Sequence, residues 1–156
     1  MKKVLYFLPI LFLATSCDKD DDDNTPAGKT KTQTLTEASW KFETAGIDVN
    51  KDGTIDTDLS SQINACAKDN TLKFETNGSG TVSEGAIACP SSPGATTPFT
   101  WAFASNETQL NITGNAVLGY GGQYKVVTLS DTKLSLSKDT TLPIIGASTL
   151  VANFIH

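Results

Sequence analysis

The chain has 156 residues and a formal net charge of -5 at neutral pH, and its basic side chains are all lysines. An acidic chain without arginine lacks the basic surface and the bidentate guanidinium contacts that nucleic acids and phosphates call for, so no nucleic-acid partner is expected. Residues 35–156 suffice for one domain with its own core, and no internal repeat is evident.

The chain opens MKKVLYFLPILFLATSCDKDDDDN. Lys2 and Lys3 precede an apolar run from Val4 to Leu13, too short for a permanent span and of the length of a signal-peptide core. Small residues Ala14 and Ser16 then lead to Cys17. This pattern resembles a bacterial lipoprotein signal. The resemblance implies a signal peptide over residues 1–16, removed to leave Cys17 as the lipidation site, carrying acyl chains such as palmitate. Residues 17–34 then read as a lipidated acidic tether, because a run of like charges repels itself into an extended chain. The segment DKDDDDN also resembles the export signal of surface-exposed lipoproteins of Bacteroidota, which implies an outer-membrane location facing outward. The partner implied is the membrane, through the lipid.

From Leu35 onward, short runs alternate apolar and polar residues with turn signals between them. The first run, SWKFETAGI, puts Trp40 and Phe42 on one face. DVNKDGTID follows. It supplies hard oxygens at the first, third, fifth and ninth places of a calcium loop: Asp48, Asn50, Asp52 and Asp56. Gly53 permits the sharp turn, Thr54 offers its carbonyl, and Asp58 is a further candidate ligand. The twelfth place is Leu59, which cannot ligate, and a strand runs into the loop where an EF-hand has a helix. The expectation is a freestanding loop with structural calcium as its cofactor; the alternative is a solvated Asp/Asn/Gly turn.

TDLSSQINACA comes next, with Leu59, Ile63 and Cys66 at helical spacing and Thr57 or Asp58 as its cap, so one short helix is expected here. Beyond Cys17 the cysteines are Cys66 and Cys89. In an export compartment a disulfide between them is expected, closing a loop worth roughly 3 kcal/mol. A zinc site or a catalytic thiol lacks histidine support, since the one histidine is terminal His156. Strands resume with NTLKFET, then GTVSEG after the turn NGSG. PFTWAFA aligns Phe99, Trp101 and Phe103, and TQLNITG aligns Leu110 and Ile112. GYGG, residues 119–122, reads as a bend or bulge. QYKVVTLS and KLSLSKD pair across Ser130, Asp131 and Thr132, and STLVANFIH is the run that closes the sheet.

About eight strands joined by hairpins tend to close, since closure removes exposed edges. The fold expected is an all-β, small antiparallel up-and-down barrel. The succession LTEASWKFE, DVNKDGTIDTDL, NACAKDNTLKFETNGSGTVSEG, FTWAFASNETQLNITG and YKVVTLSDTKLSLS resembles the lipocalin-like lipoproteins of Bacteroidota. The resemblance spans about Leu35 to Ser137. It implies a lipocalin-like barrel over residues 35–156, with Trp40 packing across one end. Residues 138–146 fall beyond it.

The remaining chemistry is thin. No Ser-His-Asp or Cys-His arrangement is available without an internal histidine. Paired carboxylates would have to come from Glu43, Glu75, Glu84 and Glu107, and Glu43 and Glu75 alternate against aromatic faces. Asp139 to Thr141 resembles an O-glycosylation motif with Thr140 as the acceptor. The expected function is therefore a non-enzymatic surface lipoprotein that binds a small apolar or amphipathic ligand. The alternative is a filled barrel acting through its outer surface as an adhesion or glycan-contacting module.

Overall fold

A computed structural model describes residues 28–90, 96–143 and 146–156, with Leu142 described by its backbone alone. Residues 1–27, and with them the expected signal peptide, the expected lipidation site Cys17 and the acidic run, lie outside the described residues. Helix α1 (Lys31–Glu37) leads into β1 (Ser39–Asp48), then β2 (Thr57–Asp58), α2 (Ala65–Lys68), β3 (Thr71–Phe74), β4 (Ser79–Ser83), β5 (Thr96–Ala104), β6 (Gln109–Val117), β7 (Tyr120–Leu129), β8 (Lys133–Leu142) and β9 (Gly146–Ile155). Every pairing is antiparallel. β1, β3 and then β4 to β9 follow one another around the sheet, and β9 pairs back with β1. The result is a closed eight-stranded barrel, with β2 as an extra strand on β1.

The alternation seen in sequence decides which side chains fill the barrel. Trp40, Phe74, Leu110, Leu134, Leu136 and Phe154 are wholly buried. Phe74 stands edge-on to Phe99 at 5.2 Å and to Trp101 at 5.7 Å. The Phe99 ring lies across Gly80, where a Cβ would collide with it, so only glycine admits this ring. A bulge between Phe42 and Thr44 shifts the inward set of β1 by one, so that Ala45 and Ile47 face in after Trp40 and Phe42.

We call the end where β1 begins the lower end. It carries the turns after β3, β5 and β7 and the end of β9. α1 lies across it, touching β3 and β7 on opposite sides of the barrel. Thr30 caps this helix in a reciprocal box with Gln33. Leu35 enters the core fully buried, its carbonyl accepts from the Trp40 indole at 2.9 Å, and Lys73 Nζ donates to the Thr36 carbonyl at 2.7 Å. The folded part thus starts inside the segment expected to be tether, before Leu35.

The helix expected after the first strand is present as α2, but it is one turn long. Thr57 and Asp58 pair with β1 instead of starting it. The Asp58 carboxylate accepts from Ser60 N at 2.6 Å and Leu59 N donates to the Ala45 carbonyl at 2.8 Å, so a 3-10 turn at Ser60–Gln62 interrupts the helical spacing. The bend expected at GYGG falls at Leu118 and Gly119, and β7 begins at Tyr120. Gly114 and Gly122, both at positive φ, take up a register shift between β6 and β7.

Candidate functional site

The upper end is assembled from loops. It holds residues 49–56, the segment from Leu59 to Asn70, residues 84–90, the β6–β7 turn, the end of β8 and the start of β9. Two breaks in strand pairing open the wall there. β1 pairs with β3 only over Ser39 to Lys41. Above that its edge is taken by β2 and by Ser60, whose hydroxyl accepts from Ala45 N at 3.1 Å. β7 pairs with β8 only below Lys125↔Ser137, so the upper parts of both strands diverge.

Cys66 on α2 and Cys89 form the expected disulfide, with Cα atoms 5.2 Å apart. It ties α2 to the stretch after β4, which is further held by Ile87 N donating to the Asp69 carboxylate at 2.8 Å. α2 consequently sits over the mouth of the barrel, and a cavity lies on each side of it. The smaller, about 310 Å3, is lined by Phe42, Leu72, Val82, Ala116 and Phe154 from the barrel and by Ala67 and Cys89 above. Asn70 also lines it, with its Oδ1 buried and without a hydrogen-bond partner among the described residues. The larger, about 550 Å3, is lined by Ala45, Leu136, Leu150 and Ala152 inside and by Ile63, Ala67 and Val117 above. Both fall within the usual range for small-ligand sites. Tyr124 and Lys138 add polar groups to the larger cavity. Burial pushes the Tyr124 phenol up to about 12, so it is a neutral donor, and it bonds the Tyr120 carbonyl at 3.2 Å.

The calcium-loop residues lie at the same end, on the outer face. Asp48 is only 2% exposed, and its carboxylate accepts from Gly53 N at 2.8 Å and Asp52 N at 3.2 Å. Asn50 accepts from Asp52 N at 3.0 Å, and Asp52 accepts from Thr54 N at 2.8 Å. The Thr54 amide foremost, and then the Asn50 side-chain amide, which donates to the Asp52 carboxylate at 3.0 Å, hold the Asp52 carboxyl below its ordinary value. Asp56 accepts from Val49 N at 2.7 Å, and Asp58 turns away to Ser60. The oxygen donors suit calcium chemically, but among the described residues no three acidic side chains are placed to hold one ion. The carboxylates accept from backbone amides within the loop. Lys51 leaves the loop to pair with Asp139 at 3.2 Å.

Of the glutamates, Glu43 and Glu75 are exposed, Glu107 sits in a lower turn, and Glu84 lines the smaller cavity. They are not brought together. Thr140 is half-buried and lines the larger cavity, so a glycan there would have to occupy that space. His156 packs edge-on against Trp40 at 4.4 Å at the lower end.

Sequence reasoning passed over Lys138 as a site residue, although the signal was present. In KLSLSKDT, period two places Lys138 on the face of Leu134 and Leu136. No protein-family model matches the chain, and no curated protein matches it.

Proposed function

We propose that this chain is a non-enzymatic binding protein that takes a small apolar or amphipathic molecule into the upper half of its barrel. The observation that carries the reading is the contrast inside one barrel. Trp40, Phe74 and Trp101 are packed solid below, while cavities of about 310 and 550 Å3 flank α2 above, the smaller reaching down to Phe42 and Phe154. An apolar lining with a few convergent polar groups is the usual composition of a ligand site. Kinship with lipocalin-like lipoproteins, acylation at Cys17 and display on the outer membrane belong to the same proposal. Kinship rests on the stretches between Leu35 and Ser137 and on the barrel's form, and acylation and display rest on the N-terminal sequence.

Isothermal titration of the full chain carrying Cys17→Ser with dodecanol tests the binding reading. Saturable one-to-one binding is expected, and a featureless titration up to the solubility limit rejects it. Release from membranes by the same substitution tests the anchor; retention contradicts it. Structural calcium is proposed on the donor chemistry of Asp48, Asn50, Asp52, Thr54 and Asp56. A carboxylate that accepts an amide keeps acceptor sites for a cation. A rise in melting temperature at millimolar calcium supports it, and an unchanged midpoint removes it.

A second reading, surface contact with glycan or protein, is favoured by an outer groove of about 640 Å3. Its lining includes Lys51, Asp52, Gln109, Gln123, Lys125 and Asp139. Binding of soluble glycans that survives filling of the inner cavities would favour it.

A further inference from the structure

Resting on the binding role above, we propose that the occupant of the larger cavity is an anionic amphiphile, whose head group meets Lys138 at the gap between β7 and β8 and whose chain lies inside the barrel. The gap follows from the strand registers. β7 and β8 are bonded from Lys125↔Ser137 down to Leu129↔Leu134. Above this, β7 stays with β6 through Val117↔Tyr120, and β8 stays with β9 through Lys138↔Leu150 to Leu142↔Gly146. The wall therefore divides between Tyr120–Tyr124 and Lys138–Leu142.

Lys138 stands at that division. It lines both the inner cavity and the outer groove. Its ammonium reaches across to the Gly121 carbonyl at 3.1 Å and lies 5.4 Å from the centre of the Tyr124 ring. Gly122 lies beside it, 2.7 Å from Nζ to where a Cβ would stand, and takes a positive φ of 123° that favours glycine. An ammonium has three donors, and Gly121 uses one. Among the described residues no carboxylate forms an ion pair with Lys138. The adjacent Asp139 also borders the cavity, but its carboxylate is engaged by Lys51 at 3.2 Å and by Thr149 at 3.0 Å rather than by Lys138.

A half-buried cation with spare donors and no acid partner attracts an anion, and charge-assisted hydrogen bonds are the stronger kind. The apolar lining behind it, including Ile63, Val117, Leu136 and Leu150, suits a hydrocarbon chain. A carboxylate or a phosphate monoester at the end of a single chain meets both demands.

The test is titration calorimetry of the full chain carrying Cys17→Ser, which has no acyl chain of its own to place in the cavity. The probes are dodecanoate and dodecyl phosphate below their micelle concentrations and dodecanol below its solubility limit. At least one anion is expected to bind about tenfold more tightly than the alcohol. Comparing the two anions identifies the head group. Lys138→Met should reduce the anion to the affinity of the alcohol and leave dodecanol unchanged; Lys138→Arg should keep the preference. Equal binding of anions and alcohol, or a preference that survives Lys138→Met, overturns the inference while leaving the cavity reading in place. Failure of all three probes overturns both. If Lys138→Met does not fold, the head-group comparison in the unsubstituted site and the Arg variant decide.

Discussion

At the lower end of the barrel, α1 sends Leu35 into the core that holds Trp40 and Phe74, and the indole of Trp40 is bonded to the helix backbone. At the upper end, a single-turn helix held by a disulfide spans a mouth whose walls have parted in two places. The same sheet builds both, so the difference lies in the inward residues and in where pairing stops. Large aromatic side chains fill one half, and Ala45, Ala116 and Ala152 leave room in the other. A closed sheet supports both arrangements, and the lower half supplies the rigidity that a hollow upper half lacks.

That division is open to attack by mutation. Trp40→Ala removes the largest buried ring and leaves the Leu35 carbonyl without its donor. A loss of about 3–5 kcal/mol is expected in urea unfolding. Replacing Cys66 and Cys89 by serine should cost roughly 3 kcal/mol and should free α2. Hydrogen exchange should then rise around Ala65–Lys68 and leave Leu110 and Leu134 protected. Equal loosening of both halves would show that they are one unit.

Thr30→Ala removes the cap of α1 at a cost of about 1 kcal/mol, read as a lowered melting temperature with dodecanol affinity unchanged. The smallest effect is acidic. Asp52, Asp58 and Asp139 are held below the ordinary carboxylate value, chiefly by the Thr54 amide, by Ser60 and by Lys51 respectively. A depressed folded-state pKa gives stability that is complete above the unfolded value of about 4 and is lost as pH falls through the folded one. All three groups are exposed, so the loss is small and local. Below about pH 4, amides of residues 49–56 should exchange faster before those of α1 do.

The barrel was largely legible because a strand's period of two writes its inner face directly into the sequence. Trp40, Phe42, Leu72, Phe74, Phe99, Trp101, Leu110 and Ile112 are spaced that way, and the disulfide followed from two cysteines in a chain expected to be exported. What escaped was set by contacts distant in sequence. α1 has one deeply buried apolar residue, Leu35, so its segment reads as polar linker until the barrel end is there to receive it. The helical spacing of Leu59, Ile63 and Cys66 gave way to pairing of Thr57 and Asp58 with β1, a tertiary contact that no local pattern shows. The two cavities depend on where ladders end, which alternation does not encode. Lys138 was visible as an inward position, but its meaning required the gap beside it.

The most direct test of a barrel solid below and hollow above is methyl NMR of the full chain carrying Cys17→Ser, titrated with dodecanol. The account predicts shifts confined to Ala45, Ala67, Val117, Leu136, Leu150 and Ala152, with Leu35, Leu110 and Leu134 unmoved. Shifts centred on the lower set, or none on the upper set at saturation, would contradict it.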